Sequence, residues 1–311
     1  MGLGLAIIVA TRNRERRLRR LLGSIFAMTG VEHIAPEIVV ADNGSTDHTP
    51  RVTADAAAAH PNLSYLAVPE GGKSRALNTA IRSTSAALLA FVDDDVELDP
   101  GWLVAVDSYF ARTPVGAAQG TIRLPPEAAA DPGIVAAIER WHTIPRCDFG
   151  PTVSESSSLT GANMLVTRSA FARVGLFDER LGPGAAGASE DTELAARLRA
   201  AGERIGYIPD AIVYHAVESN RLSASYFRAL HEARGRSRIY YKYRDQRSTL
   251  GLALRLLPDL GLAALRLATT ALGSGGESRR RALARWYHYR AMLAAGRAPR
   301  LPGGVPRLDG A

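Results

Sequence analysis

The run Phe91-Val92-Asp93-Asp94-Asp95 closes an apolar stretch, Ala86 to Val92, with three carboxylates. An apolar run of that length reads as a buried strand. Side chains alternate along a strand, which sets Asp93 and Asp95 on one face and Asp94 on the other. Two carboxylates on one face at the carboxyl end of a strand suit a hard divalent cation such as Mg²⁺ or Mn²⁺. Such ions take carboxylate oxygens and bring phosphate oxygens with them. The competing reading of the triplet alone is a solvated acidic turn.

The elements that position these carboxylates alternate in type. Leu5–Ala10, Glu37–Ala41, Leu63–Val68 and Ala87–Val92 read as strands. Arg16–Ala27, Thr49–Ala59, Ser74–Ser83 and Gly101–Phe110 read as the helices between and after them, the last started by Asp99-Pro100. That order implies an α/β fold, a mostly parallel, Rossmann-like sheet flanked by helices. Ligands of such sheets bind beyond the carboxyl ends of the strands. All four strands end there in polar clusters: Thr11-Arg12-Asn13-Arg14, then Asp42 to Asp47, then Glu70-Gly71-Gly72-Lys73-Ser74, then the aspartates. Asp42 suits a nucleobase N–H or a ribose hydroxyl. Gly71-Gly72 lets backbone approach a phosphate at a helix start, with Lys73 and Arg75 as cations beside it. Singly, each cluster is also an ordinary cap or turn. A dinucleotide fingerprint is missing, because Gly2 and Gly4 precede the first strand rather than follow it. A phosphate-binding loop is doubtful too, because Ala67 stands where that motif needs glycine before Gly72-Lys73-Ser74.

Past residue 125 the pattern loosens. Leu124–Pro132 reads as an irregular crossing, and Trp141–Ser158 carries no legible motif. Gly161–Val166 reads as ordered chain leading to a helix near Ser169–Val174. Gly182–Ala188 reads as a mobile glycine-rich loop. Ser189–Ala201 reads as a helix with Ser189 as cap and Gly202 as its close. Two short strands, Ile205–Ile208 and Ala211–His215, are split by Pro209-Asp210. A polar helix runs from Ala224 to about Arg244. Thr249–Gly273 has one narrow charged strip, Arg255, Asp259 and Arg266, within about 40° at about 100° per residue. Its wide apolar face, interrupted by Pro258, either packs on the domain or lies in a membrane interface.

The chain has 311 residues, 46% hydrophobic and 22% charged, ordinary for a globular protein with a sizeable core. One cysteine, Cys147, excludes an intrachain disulfide and reads as structural. No signal peptide and no membrane span are legible. The net charge of +7 is uneven. Residues 1–220 carry 20 Lys+Arg against 26 Asp+Glu, and residues 221–311 carry 18 against 5. The basic end, with cations and aromatics mixed from Arg279 to Arg290, suits an anionic membrane surface through residues 249–300. Nucleic acid suits it less, since no recognised module surrounds it.

Four blocks together resemble the family 2 inverting glycosyltransferases of GT-A fold, over about residues 5 to 245. They are Ile7 to Arg14, Val39 to Asp47, Phe91 to Asp95 continued by Asp99-Pro100-Gly101-Trp102, and an acceptor half. The acceptor half comprises Gly161 to Met164, Gly175 to Glu179 and Ser189 to Leu194. The resemblance implies a glycosyltransferase domain over 1–220 (donor half 1–125, acceptor half 126–220) and a basic helical extension over 221–311. It implies a nucleoside-diphosphate sugar donor, of UDP type, and Mn²⁺ or Mg²⁺. The acceptor would be a glycan, lipid-linked or small-molecule hydroxyl. Thr11 and Asp42 would meet base and ribose, with Arg12, Asn13 and Arg14 in the same loop. Asp93, with Asp94, Gly72, Lys73, Arg75 and Asn78, would surround the ribose and diphosphate. Asp95 would bind the metal, with Asp93 and His215 as further ligands. Asp191 would be the catalytic base and Glu190 its neighbour. Alone, His215 also reads as a structural histidine, and Glu190 and Asp191 as charges favoured by a helix N-terminus. Leu77 departs from the family pattern, in which Arg often precedes the Asn matching Asn78. The implied place is the cytoplasm, peripherally on the inner face of the plasma membrane, in cell-envelope synthesis. The competitors are a non-catalytic nucleotide-sugar-binding or membrane-tethering protein, and a haloacid dehalogenase-like phosphohydrolase. The second is disfavoured by Glu97, which stands where its aspartate motif wants Thr or Val.

Overall fold

The computed structural model describes residues 4–152, 154–243, 249–270, 276–297 and 301–308. Eight strands form one mixed sheet. They are β1 (Leu5–Thr11), β2 (Glu37–Asp42), β3 (Leu63–Ala67), β4 (Leu88–Asp93), β5 (Val96–Leu98), β6 (Ala117–Arg123), β7 (Met164–Thr167) and β8 (Ile205–His215). Their order is β3-β2-β1-β4-β7-β6-β8-β5. The first four in that order, β3-β2-β1-β4, run wholly parallel, as the βα alternation requires. Strand β7 runs antiparallel to both β4 and β6, which makes the whole sheet mixed. Register brings the chemistry level: Thr11 pairs with Asp42 and Ala10 with Asp93.

Alternation along β1 explains the two layers of core. Ile7 and Val9 pack with Leu18, Leu21 and Trp102 on one face. Ala6 and Ile8 pack with Leu77, Ile81, Phe171 and Phe177 on the other. Both faces of a parallel sheet are covered, so β1 is apolar up to Thr11 at its end.

Several local expectations change. The helix after β5 starts at Trp102 rather than Gly101, and Asp99 instead accepts from the Gly101 N–H at 2.9 Å. Within the ordered Gly161–Val166 segment, Gly161–Asn163 is a 3₁₀ turn leading into β7. Ser189 sits at the N-cap of the Glu190–Ala200 helix, but at φ 71° its side chain makes no capping bond. The Ile205–Ile208 and Ala211–His215 segments are one strand. Pro209-Asp210 is absorbed where the register against β6 shifts, next to Gly120/Thr121. Gly182–Ala188 is folded as a compact turn. Gly182 donates to the Ala188 carbonyl, Gly187 to Gly182, and Lys73 N–H to the Pro183 carbonyl at 2.9 Å.

Three helices complete the chain: Ala224–Tyr241, Thr249–Thr270 and Gly276–Arg297. The expected ends at Arg244 and Gly273 lie outside the described residues. Ile239, Leu252, Leu256 and Met292 bind the three together. The Thr249–Thr270 helix therefore packs through one side. Its other side leaves Leu250, Leu254 and Leu265 exposed at 70%, 62% and 61%. Among the described residues no helix is long and apolar enough to cross a membrane. The tail returns to the chain just after the Arg168–Val174 helix, where Leu176 and Glu179 N–H groups donate to the Pro306 and Gly304 carbonyls. Cys147 is buried, and burial pushes its thiol pKa up to about 12.

Candidate active site

Two cavities open beyond the carboxyl ends of β1 and β4. The smaller, about 270 Å³, is lined by Thr11, Arg12, Arg14, Asn43 and the Asp93-Asp94-Asp95 triplet. The larger, about 620 Å³, is lined by Thr160, Gly161, Glu190, Asp191, His142, Arg146 and Arg234, among others. Lys73, Asp93, Pro183 and Arg221 line both cavities.

The triplet does not alternate as a strand would. Strand β4 ends at Asp93, and Asp94 and Asp95 form the turn into β5, so all three face one cavity. Asp94, expected to face away, accepts from the Thr11 hydroxyl at 2.8 Å. Burial and the charge of Asp95 push its pKa up to about 7.

Lys73 stands where the cavities meet. Its Nζ lies 2.7 Å from Asp93 Oδ1 and 3.1 Å from Glu190 Oε1. Burial alone would lower the lysine pKa, but the two carboxylates more than offset it and hold the ammonium well above its usual range. For Asp93, burial pulls upward, and Lys73 outweighs it and keeps the carboxyl below its usual range. Glu190 goes the other way, because burial and the neighbouring Asp191 outweigh Lys73. The approach is close here: a Cβ on Gly161 would sit 3.3 Å from Lys73 Nζ, so Lys73 would have to shift slightly.

Asp191 lies in the first turn of its helix and is fixed from two sides. Oδ2 accepts from the Gly161 N–H at 3.0 Å, and Oδ1 from the Thr192 N–H at 2.6 Å. The Gly161 turn is itself pinned. Gln119 accepts from Thr160 N–H and donates to the Asn163 carbonyl, while Asn163 accepts from Trp102 Nε1.

Asp95 is buried, at 4% exposure. His215 Nε2 lies 3.4 Å from its Oδ1 and Arg221 Nη2 2.6 Å from its Oδ2. Asp93 does not join them, since Lys73 takes its Oδ1. Among the described residues no group of three or more His, Cys, Asp or Glu side chains converges as a metal cage.

Other expected residues are not in the cavities. Asp42 braces its own loop, accepting from Ser45 N–H at 2.8 Å and from the Tyr65 hydroxyl at 3.0 Å. Asn13 and Gly72 shape turns at positive φ, Asn13 accepting from Thr46 N–H. Arg75 turns to the Glu70 and Gly71 carbonyls and to Glu179. Asn78 is fully buried, and its amide exchanges two bonds with the Phe177 backbone, both at 3.0 Å, which ties the Lys73–Ser83 helix to the chain at Phe177. Among the residues that the sequence did not single out, Asn43, Pro183 and Arg221 line the smaller cavity. Asn43 Oδ1 is buried without a hydrogen-bond partner. Its adjacency to Asp42 was the only sequence signal for it.

A profile of the family described as "Glycosyltransferase like family 2" matches residues 3–237. The chain belongs to that family. Relatives include an N-acetylglucosaminyl-diphospho-decaprenol L-rhamnosyltransferase of Mycobacterium tuberculosis, 30% identical over 264 residues, covering 74% of this chain and 82% of the relative. A pre-mycofactocin glycosyltransferase of the same species is 29% identical over 67% of this chain, and the chain spans 42% of that relative's length. In structure, the mannosyltransferase PcManGT from Pyrobaculum calidifontis, in complex with GDP-Man and Mn²⁺, matches at TM-score 0.62 and 20% identity, covering 94% of this chain and 86% of that one. S. aureus TarS 1-349 in complex with UDP-GlcNAc matches at TM-score 0.56 and 16% identity, over 94% and 90%. At these identities the two structures establish a shared GT-A fold.

Proposed function

We propose that this protein transfers a sugar from a nucleoside diphosphate to an acceptor hydroxyl, with inversion and with the help of a divalent ion. The observation that carries the reading is the meeting of a triplet-lined cavity and an Asp191-lined cavity at Lys73 and Asp93. The smaller cavity would take the nucleoside diphosphate. Asn43 would accept from base or ribose, and Thr11, Arg12 and Arg14 would surround it. Lys73 would face the charge that grows on the leaving diphosphate.

The donor set fits a divalent ion that arrives with its substrate. Asp95 would supply a carboxylate oxygen and the diphosphate would supply others, the usual arrangement for Mg²⁺ and its analogues, with Nε2 of His215 beside them as a further ligand. Bound there, the ion would act as a Lewis acid toward the departing diphosphate. The protein's own residues do the rest. Asp191 takes the acceptor proton while the acceptor oxygen attacks the anomeric carbon from the opposite face. The new C–O bond forms as the old one to phosphate breaks, and the diphosphate leaves with the electron pair. The Gly161 and Thr192 N–H groups orient Asp191 for that transfer.

The exposed leucines of the Thr249–Thr270 helix and the basic C-terminal third support a peripheral seat on an anionic membrane and a lipid-linked or cell-envelope acceptor. The test is a thermal-shift screen of nucleoside diphosphate sugars with Mn²⁺. One donor, UDP type expected, should raise Tm with Mn²⁺ and not without it. A panel with no Mn²⁺-dependent shift would sink the reading.

A further inference from the structure

Arg221 ends the 3₁₀ turn Ser219–Arg221, six residues past His215. Its guanidinium forks over both side chains assigned above to a divalent ion. Nη2 donates to Asp95 Oδ2 at 2.6 Å, and Nη1 lies 3.4 Å from His215 Nε2. His215 Nδ1 is 2.8 Å from the Ala216 carbonyl. A carbonyl can only accept, so Nδ1 carries the proton and Nε2 presents its lone pair. A carboxylate oxygen and an imidazole lone pair thus converge on one cation, and that cation is a guanidinium. Behind it, Glu218 Oε2 lies 3.5 Å from Arg221 Nε, and Glu218 is itself paired with Arg14. The Tyr226 ring lies on its flank, 5.8 Å from centroid to Cζ.

We propose that Arg221 is an internal cation holding the divalent-ion position between Asp95 and His215, so that Arg221 and the metal exclude one another. This rests on the metal-dependent reading of the site given above. Asp95 is nearly free of solvent, and two cations cannot share so small and dry a position without strong repulsion. Without metal, Arg221 keeps the buried carboxylate paired, where an unpaired one would be costly. A divalent ion must displace the guanidinium, which retains Glu218 as its partner. The ion alone therefore binds weakly, and ion and diphosphate bind together, because the phosphate oxygens compensate for the displaced pair. Arg221 is a positioning residue in this scheme: it acts through Asp95 and His215.

The experiment is Mn²⁺ binding in the absence of nucleotide, read by electron paramagnetic resonance of free Mn²⁺, on the full chain and on Arg221→Gln and Arg221→Lys. Removing a charge-assisted pair should tighten Mn²⁺ binding about 10- to 100-fold in Arg221→Gln. The Mn²⁺-induced rise in Tm should be larger in that variant as well. Arg221→Lys, which keeps a cation in place and guards against a folding defect, should stay within about threefold of wild type, an expectation that follows from its retained charge. A merely structural arginine would leave Mn²⁺ affinity unchanged or weakened in Arg221→Gln, and that result would overturn the proposal. If the wild type shows Mn²⁺-dependent UDP binding at the same time, the reading beneath it survives. If neither Mn²⁺ nor Mn²⁺ with UDP binds either protein, both fall.

Discussion

Replacing Lys73 with Met removes a cation that contacts both Asp93 and Glu190. The ammonium lies 2.7 Å from one carboxylate and 3.1 Å from the other, with side chains 19%, 26% and 7% exposed for Lys73, Asp93 and Glu190. At an effective dielectric near 20 each attraction is about 5–6 kcal/mol before desolvation. Desolvation cancels much of that. Removing one partner of a buried pair costs about 3–5 kcal/mol, because the partner is left charged and dry. Here Glu190 can escape by taking a proton, since burial already raises its pKa. We therefore expect about 3 kcal/mol at pH 8 and a Tm lower by about 5 °C. The sign of the pH dependence follows. Without Lys73 the folded-state pKa values of Glu190 and Asp93 stand above their unfolded values. Stability is then fully present at acid pH and is lost as pH rises through the folded pKa. The Tm deficit of Lys73→Met should shrink from pH 8 to pH 5. Differential scanning calorimetry of both proteins across that range decides the matter. An unchanged Tm, or a deficit larger at pH 5 than at pH 8, would show that Lys73 does not neutralise this pair.

Asn78→Ala should lower stability by about 2–4 kcal/mol, because the Phe177 N–H and carbonyl lose their partner. Donor affinity should persist, and a loss of donor affinity at unchanged Tm would return Asn78 to the donor site. Burial, aided by Arg234 and His288, lowers the His231 pKa to about 4. Burial, aided by Arg238, Arg234 and Lys242, does the same for His288. Both folded values lie below the unfolded one, so stability is full above about pH 6.5 and falls as pH drops toward 4. Allowing for partial exposure, each histidine accounts for about 1–2 kcal/mol. The double variant His231→Leu, His288→Leu should flatten the acid limb of a circular-dichroism melt series, and an unaltered slope would contradict the assignment. Leu254→Asp with Leu257→Asp should weaken binding to phosphatidylglycerol vesicles about tenfold or more while leaving Tm unchanged. Equal binding by both proteins would remove that helix from any membrane contact.

Strands β1 to β4 were legible because each is a largely apolar run closed by polar residues, and parallel pairing then places those ends side by side. Alternation failed at Asp94 because the strand stops one residue earlier, and inside a turn the two-residue period no longer holds. Pro209-Asp210 suggested a break, yet a register shift against β6 carries the strand through. Ser189 looked like a helix cap by type, but its left-handed backbone points the hydroxyl elsewhere. Asn78 and Arg75 have the right chemistry for a donor site. Only packing shows that Asn78 is spent on the Phe177 backbone and Arg75 on nearby carbonyls. Arg221 could not be found from its neighbours. It lies in a polar loop, and its partner Asp95 is 126 residues away in sequence.

The central claim is that Asp191 takes the acceptor proton in a site that holds its donor independently. The direct measurement is release of nucleoside diphosphate from the matched donor by wild type and Asp191→Asn, with donor affinity measured in parallel. Turnover should fall about 10²-fold or more in Asp191→Asn, with donor affinity kept within a few-fold. Turnover near wild type in Asp191→Asn would contradict it.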